Sequence, residues 1–387
     1  MSLPTVRLPA RLETALRSGH PWVYRTHWPD GITLETGSWV RVEAGSAAAV
    51  GLFDADGPIA VRLFDADTVP TDAWWDAAID RAIARRQPLA DAGHDAYRLL
   101  FGEGDGIPGL VVDRYGRHAV LQVHSEALRP ILPRVAKRIR RKLKLRGVVE
   151  RLKGGLHAWA GEVPPPEVTV REHGLTFLVN MHEGQKTGLF LDHREQRQWV
   201  RKHAAGKRVL NLFSYAGGFS VYALAGGATE VVSVDVARPA LRDAERNVAL
   251  NDIQAERHRT IQADVFTSLG RLAEAEGRFD LVICDPPSLA KSKRQRDRAV
   301  GAYGRLHEGL GALVKPGGEL LTASCTTQVT PEAFERAALA GLRHNGRQAA
   351  VLQRRGHALD HPVRKSFPEG RYLKSLWLQL DADQASK

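Results

Sequence analysis

Cys325 and Asp285 are the residues of this sequence whose types and positions best suit chemistry. Cys325 ends the apolar run ELLTASC, and Asp285 opens the string DPPS directly after the run DLVIC. If both runs are strands of an open α/β sheet, these residues lie at its carboxyl edge, where such sheets bind ligands. A thiol beside a carboxylate at that edge predicts a nucleophile acting on a bound ring.

Each of these residues also has a plain structural interpretation. Free cysteine is among the most buried residue types, so Cys325 taken alone fits a core position at least as well. Cys284 lies inside its strand, and alternation turns it away from Asp285, so we expect it in the core. Pro286 and Pro287 could simply end the strand, or they could form a rigid apolar shelf for a planar base whose polar edge bonds to Asp285.

A glycine-containing loop and two further acids predict a nucleoside cofactor site. The loop SYAGGFS, with Gly217 and Gly218, lies between an apolar run and a helical pattern, a position that binds anions or simply packs closely. Asp235 ends the next run, where a carboxylate can accept bonds from ribose hydroxyls, and Asp264 could reach an adenine amine. Neither GxGxxG nor a phosphate-loop GK[ST] is present, so the cofactor is expected to lack pyrophosphate.

Basic residues concentrate in two places. Between Arg134 and Arg146, eight of thirteen residues are basic and none is acidic. Such helices are often only solvated on the charged face, but this density equally favours contact with phosphates. The predicted RNA-binding residues are Lys137, Arg138, Arg141 and Lys144 of this helix and Lys291, Lys293 and Arg294 after DPPS.

Composition excludes several classes of protein. A hydrophobic content of 43% with 26% charged residues is that of a globular chain, and no apolar run is long enough to span a bilayer. Two cysteines cannot form a disulfide scaffold, no zinc spacing occurs, and the 15 histidines show no paired ligand pattern, so no metal is expected. These features predict a reducing cytoplasm. The net charge of +11 favours a polyanionic partner, although residues 1–75 carry a net charge of −3.

The chain is long enough for two or three domains. Short β segments up to about residue 70 predict a small barrel, followed by mixed helices and strands up to the proline-rich stretch GEVPPPE at 161–167. Apolar runs then alternate with helical patterns, which is typical of a doubly wound parallel sheet. The runs that predict its strands are VLNLF, VVSVD, DLVICD and ELLTASC.

Taken together, these strings resemble the ribosomal RNA large subunit methyltransferase I family, whose members form 5-methylcytosine in 23S ribosomal RNA from S-adenosylmethionine. The ASC form of the cysteine motif is similar to that of the Thermus-type members. The strings that carry the resemblance are HPWVY, FGEGDGIPGLVVDRYG, GQKTGLFLDHREQR, NLFSYAGGFS, VVSVD, DPPSLAK, ASC, DHPV and PEGRYLK.

The resemblance implies a class I Rossmann-like methyltransferase sheet at 166–387, with an N-terminal PUA-like β-barrel at 1–72 and a central α+β RNA-binding domain at 73–165. It implies a homodimer, and it makes Cys325 the nucleophile. The residues predicted to bind the cofactor are Phe213, Ser214, Tyr215, Gly217, Phe219, Asp235, Asp264, Asp285, Lys186 and Thr187.

The predicted reaction is methyl transfer to carbon 5 of a cytosine in 23S ribosomal RNA or the large-subunit particle. Because carbon 5 is a weak nucleophile, Cys325 first adds to carbon 6, and Asp285 holds the nitrogen edge of the base. Two alternatives stay open at this point: an RNA methyltransferase acting on the amino group of adenine or guanine, in which Cys325 is core, and a non-catalytic RNA-binding assembly factor.

Overall fold

A computed structural model describes residues 3–182 and 189–381 of the chain, which divides into two compact units. The first unit combines residues 1–172, 179–191 and 359–370, and the second combines residues 173–178, 192–358 and 371–387. The segments 179–191 and 359–370 fall within the predicted methyltransferase domain and yet belong to the first unit. The three predicted domain boundaries stay a prediction.

The first unit opens with a small sheet built from short, alternating strands. Its elements are β1 (Thr5–Arg7), α1 (Glu13–Arg17), β2 (Trp22–Tyr24), β3 (Trp39–Ala44), β4 (Ala47–Phe53) and β5 (Ile59–Phe64). The strands lie in the order β1-β3-β4-β5-β2, with β1 and β3 parallel and the other pairs antiparallel. Alternate residues of β3, such as Val40 and Val42, are fully buried in an apolar core, as a strand covered on one face requires.

A second sheet in the same unit packs against two longer helices. Its elements are α2 (Asp72–Asp91), β6 (Ala96–Phe101), α3 (Gly102–Asp105), β7 (Leu110–Tyr115), β8 (His118–Val123), α4 (Leu132–Lys142), β9 (Gly147–Leu152) and β10 (Gly155–Gly161). The Thr71 side chain begins α2 by accepting a hydrogen bond from the Trp74 amide at 3.3 Å. The stripe Leu132, Val135 and Ile139 buries one face of α4 and leaves its basic face outward. Strands β11 (Glu167–Glu172) and β12 (Leu175–Asn180) follow along the chain.

The second unit is the predicted alternation of strands and helices. Its strands are β13 (Arg208–Leu212), β14 (Glu230–Asp235), β15 (His258–Gln262), β16 (Phe279–Cys284), β17 (Val314–Ser324), β18 (Ala349–Arg355) and β19 (Lys374–Leu380). Its helices are α5 (Arg194–His203), α6 (Gly218–Ala225), α7 (Arg238–Ala249), α8 (Val265–Glu276), α9 (Arg296–Gly311) and α10 (Pro331–His344).

The sheet of this unit has a switch point that places the site. Its strands lie in the order β15-β14-β13-β16-β17-β19-β18, and those from β15 to β17 are parallel. The chain runs outward from β13 in one direction and then returns to continue with β16, so the carboxyl ends of β13 and β16 border the crevice where such sheets bind ligands. The last two strands are antiparallel, and β19 lies between β17 and β18.

One face of this sheet packs against α8, α9 and α10. Every second residue of the central strands points toward these helices. Among them are Leu210, Val232 and Val282, which are fully buried. Cys284 belongs to the same apolar cluster and is fully buried, which confirms the expected core position. In the ranges that the structure describes, no helix is both long and apolar enough to cross a membrane.

Candidate active site

The loop between β13 and α6 has an unusual backbone. Phe213 (φ 57°) and Tyr215 (φ 47°) adopt left-handed backbone conformations that residues other than glycine rarely take. Gly217 (φ 73°), at the start of α6, lies in the same region. A Cβ atom on Gly217 would lie 2.7 Å from the Cβ of Ala244, so only glycine fits against α7. Strain of this kind is kept where a loop must present its backbone to a ligand.

Asp235 fixes the shape of this loop. One carboxylate oxygen accepts a hydrogen bond from the Tyr215 amide at 2.8 Å, and the other accepts from the Ala237 amide at 2.9 Å. The Ser214 hydroxyl is buried beside them, and its Oγ has no hydrogen-bond partner within residues 3–182 and 189–381. A buried hydroxyl without a partner is costly, so this position suits a polar ligand group.

Exposed apolar side chains lie close in sequence to Asp235 and Asp264. Val236 is 65% exposed and Phe266 is 44% exposed, and the Phe266 ring lies 5.2 Å from that of Phe213. Asp264 is exposed and caps α8 by accepting a hydrogen bond from the Phe266 amide at 2.9 Å. Exposed apolar surfaces beside a carboxylate suit a flat, polar-edged ring such as adenine.

Asp285 follows β16 and pairs with a histidine. Its Oδ2 lies 3.1 Å from the Nε2 of His193, whose side chain is only 3% exposed, and the His193 ring meets Phe219 edge to face at 5.5 Å. The Nδ1 atom of His193 is buried and has no hydrogen-bond partner in the described ranges. Nε2 is the ring nitrogen that faces Asp285, and Nδ1 is the one that stays available within the described ranges.

The DPPS loop continues into basic surface. Pro286 is buried and Pro287 is exposed, and the apolar shelf for a base stays a prediction. Lys291, Lys293 and Arg294 are all exposed, so their charges are available to a polyanion.

Cys325 follows β17 and is half-buried, whereas Cys284 is inaccessible. Burial, and secondarily the charge of Asp285, raises the pKa of Cys284 well above its ordinary value, so that thiol stays protonated and inert. Of the two thiols, Cys325 alone has the exposure that a nucleophile needs.

A buried hydroxyl network fixes the turn after Cys325. Tyr303 donates to the Ser324 hydroxyl at 2.8 Å, and its oxygen also lies 2.8 Å from the Thr326 hydroxyl. The Thr326 hydroxyl in turn accepts from the Leu289 amide at 2.9 Å, which joins the DPPS loop to the end of β17. Burial raises the pKa of Tyr303 to about 12, so its hydroxyl stays protonated and can donate. The network therefore helps to fix the positions of Asp285 and Cys325 relative to each other.

The structure brings some predicted residues together and leaves others elsewhere. The loop from Phe213 to Phe219 is bonded to Asp235, and the DPPS loop is bonded to the Cys325 turn. Lys186 and Thr187 lie outside the described residues. In α4, Arg138 is 13% exposed and pairs with Asp72 and Asp76 of α2.

The remaining residues of the predicted basic face are exposed in the first unit. These are Lys137 and Arg141 of α4 and Lys144, which follows the helix in a left-handed conformation with φ 51°. Arg138 is thus engaged by acids of its own unit, whereas the other three keep the exposure that phosphate contact needs.

Sequence reasoning gave no role to His193, Tyr303, Thr326 or Lys374. His193 and Lys374 stand inside the strings GQKTGLFLDHREQR and PEGRYLK, so a signal existed, but their partners are far away in sequence. Lys374 is buried and begins β19, directly opposite Ser324. Within the described residues, no group of three or more His, Cys, Asp or Glu side chains could hold a metal ion.

Comparison with protein families identifies two regions of the chain. The S-adenosylmethionine-dependent methyltransferase family matches residues 145–344, and the PUA-like domain family matches residues 6–66. The first match covers more than half of the chain and contains the strained loop, Asp235, Asp285 and Cys325. The predicted PUA-like domain, methyltransferase sheet and cofactor class are thereby confirmed.

Whole-chain comparison gives a narrower family. The chain is 42% identical over 399 residues to a ribosomal RNA large subunit methyltransferase of Deinococcus radiodurans, covering 97% of each chain. It is 35% identical to a ribosomal RNA large subunit methyltransferase I of Aeromonas salmonicida, covering 94% of this chain and 96% of the relative. The solved structure of the methyltransferase SMU.776 complexed with SAH has the same fold, with a TM-score of 0.88 at 22% identity over 97% of this chain and 100% of that one. The chain belongs to the S-adenosylmethionine-dependent ribosomal RNA large subunit methyltransferase family.

Proposed function

We propose that this enzyme transfers a methyl group from S-adenosylmethionine to carbon 5 of a cytosine in 23S ribosomal RNA, through a covalent bond between the base and Cys325. The observation that carries the proposal is the half-buried thiol of Cys325 at the carboxyl edge of the sheet, tied through Thr326 and Leu289 to the loop that carries Asp285. A methyltransferase acting on an amino nitrogen has no use for such a thiol.

The residues present fit the cofactor. The Ser214 hydroxyl, which has no partner within the described ranges, and the strained backbone around Tyr215 suit its amino-acid end, and the carboxylate of Asp235 suits the ribose hydroxyls. The exposed surfaces of Val236 and Phe266 suit the adenine ring. When bound, S-adenosylmethionine supplies an electrophilic methyl group that an electron-rich carbon can attack.

Cys325 makes carbon 5 of the cytosine electron-rich. Its thiolate adds to carbon 6, the ring double bond between carbons 5 and 6 becomes that of an enamine, and N3 takes up a proton. Once carbon 5 carries the methyl group, a general base takes the proton from carbon 5, the Cys325 sulfur departs with its bonding electron pair, and N3 gives its proton back, which restores the aromatic ring. The thiolate is regenerated, so the residue is a catalyst.

Asp285 and His193 handle the nitrogen edge of the base. Asp285 Oδ2 lies 3.1 Å from His193 Nε2, and a proton held by this pair passes to N3 when the sulfur adds and returns to the pair when the sulfur departs. The buried ring of His193, packed against Phe219, keeps the Asp285 carboxyl group pointed in one direction.

The RNA partner follows from charge and from the relatives' names. The exposed residues Lys291, Lys293 and Arg294 follow the DPPS loop directly, where they can hold phosphates beside a flipped base. The exposed basic face of α4 adds a second contact. The choice between naked 23S ribosomal RNA and the large-subunit particle, the homodimer and the cytoplasmic location stay predictions.

The test compares methylated nucleosides made in 23S ribosomal RNA by wild type, Cys325→Ala and Cys284→Ala. We expect 5-methylcytosine with the wild type and with Cys284→Ala, and none with Cys325→Ala, although calorimetry should show that this variant still binds S-adenosylmethionine. Methyl groups on the amino nitrogen of adenine or guanine, made equally by Cys325→Ala, would refute the proposal. Absence of cofactor binding in the wild type would favour a non-catalytic assembly factor.

A further inference from the structure

Lys374 is a buried cation at the strand end that carries Cys325. Its Cα pairs in register with that of Ser324, the residue before Cys325. Its Nζ donates to three carbonyl oxygens, those of Thr326 (2.5 Å), Val329 (2.7 Å) and Tyr372 (3.2 Å). The side chain therefore reaches the turn that follows Cys325.

This cation lacks the counter-ion that burial ordinarily demands. Only 6% of Lys374 is exposed, and in the described part of the chain its ammonium bonds to carbonyl oxygens and to no carboxylate. Burial lowers the pKa of Lys374 to about 8, and the charge on Cys325 opposes that shift. The ammonium is still mostly protonated at neutral pH. Because electrostatic coupling is reciprocal, the same interaction favours the Cys325 thiolate.

Three other titratable groups near this turn supply no positive charge. Asp285 is an acid at the same edge of the sheet. Tyr303 stays neutral because its pKa is about 12, and burial lowers the pKa of His307 to about 4, so that imidazole is neutral as well. Lys374 carries a positive charge that is coupled to the charge of Cys325.

We infer that Lys374 is a positioning residue that stabilises the thiolate of Cys325 and holds the turn after it, so that sulfur can add to the base without a separate general base. The inference rests on the proposed function only in naming the target of the thiolate. It adds a residue to the machinery that lies 49 positions from Cys325 in sequence and is joined to it by the antiparallel pairing of β17 and β19.

The test measures alkylation of Cys325 by iodoacetamide as a function of pH, without RNA or cofactor, and reads the modified peptide by mass spectrometry. In Lys374→Met the rate-versus-pH curve should move to higher pH, and the rate at pH 7 should fall about three-fold, because the lost thiolate fraction outweighs the higher intrinsic nucleophilicity. Lys374→Arg keeps the charge and should retain the wild-type curve near neutral pH. The matched control is Lys315→Met, since Lys315 already pairs with Asp280 at 2.8 Å and should leave the curve unchanged.

A second measurement, the titration of Lys374 in a Cys325 variant, tests the inference even if Lys374→Met does not fold. In Cys325→Ser the ammonium of Lys374 loses its anionic neighbour, so nuclear magnetic resonance of labelled lysine should show it titrating at lower pH than in wild type. Unchanged curves in both experiments would overturn the inference and reduce Lys374 to a structural support. A shifted alkylation curve in a protein that makes no 5-methylcytosine would contradict the proposed function and leave this inference standing.

Discussion

Two groups of buried charges in this protein are built in opposite ways. In the first unit, Arg86 donates to both oxygens of Asp105 at 2.8 and 2.7 Å, and Arg98 donates to both oxygens of Asp113 at 2.8 and 3.0 Å. Asp360 joins them by accepting from the Arg98 amide at 2.8 Å. Each guanidinium of this ion-pair cluster thus faces a carboxylate in the two-pronged geometry that suits it best.

The site in the second unit has the reverse character. His193 has its Nε2 atom 3.1 Å from Asp285, and its Nδ1 atom has no hydrogen-bond partner in the described ranges. The Lys374 ammonium there bonds to carbonyl oxygens alone. Cys325 is half-buried beside them. Charges that are fully paired hold a fold, whereas a buried ring nitrogen without a hydrogen-bond partner and a buried ammonium bonded only to carbonyls, both within the described ranges, mark where a substrate or a reactive anion completes the set.

The largest expected effect is on the stability of the ion-pair cluster. Asp105→Ala leaves the Arg86 guanidinium, which is 1% exposed, without its carboxylate, and should lower the free energy of unfolding of the first unit by about 3–5 kcal/mol. Urea unfolding followed by a probe in that unit measures the loss. A loss below about 1 kcal/mol would show that the cluster is not what holds this unit.

Asp285→Asn should affect catalysis much more than stability. It removes the charge and the proton-handling capacity at the base and should slow methyl transfer by roughly 10²–10³-fold, while the midpoint of unfolding stays close to that of wild type. Single-turnover methylation of 23S ribosomal RNA and urea unfolding of the same preparation provide the two measurements. A large loss of stability with normal transfer would place Asp285 among the structural charges instead.

Much of the site in the second unit was visible in the sequence. The apolar runs ending at Asp235, Asp285 and Cys325 placed these residues at one edge of a parallel sheet, because each run had the length and the flanking pattern of a buried strand. The glycine loop was likewise evident, although its strained Phe213 and Tyr215 were not, since left-handed backbone at such residues has no local sequence signal.

The partners of these residues were hidden because they depend on tertiary pairing. Lys374 meets the Cys325 turn only because β19 inserts between β17 and β18, which no local pattern specifies. The pairing of the basic helix α4 was likewise not evident from its local sequence. Asp72, Asp76 and Asp80 recur every four residues along α2 and face α4, so part of the basic charge is neutralised within the unit.

His193→Gln should have an intermediate effect on catalysis. The amide can still donate to Asp285, but it cannot pass a proton, so methyl transfer should fall by roughly 10²-fold or less. The pH profile of single-turnover transfer should change shape, and the affinity for S-adenosylmethionine measured by calorimetry should not. An unchanged pH profile would assign His193 a packing role against Phe219.

Tyr303→Phe should cost less and act through geometry. It removes the hydroxyl shared by Ser324 and Thr326 and should destabilise the second unit by about 1–3 kcal/mol. Methyl transfer should also slow, because the Cys325 turn loses a bond that fixes it. Thermal unfolding and transfer rate, measured on one preparation, check both effects. A variant as active and as stable as wild type would show that the network is dispensable.

The smallest effect is expected on the basic helix. Lys137→Ala removes an exposed charge and should reduce the dependence of RNA affinity on salt by about one counter-ion. Arg138→Ala should change that slope less, because its guanidinium already pairs with Asp72 and Asp76. Binding titrations at several salt concentrations distinguish the two variants, and equal slopes would contradict the assignment.

Trapping the covalent intermediate would reveal the bond between Cys325 and the cytosine itself. In 23S ribosomal RNA transcribed with 5-fluorocytidine, carbon 5 has no proton to lose after methylation, so the bond to the sulfur should persist. We predict an RNA–protein conjugate that survives denaturation, requires S-adenosylmethionine, maps to Cys325 by peptide mass spectrometry, and is absent in Cys325→Ser. An active wild-type enzyme that forms no such conjugate, or one that forms it at another residue, would rule out Cys325 as the nucleophile.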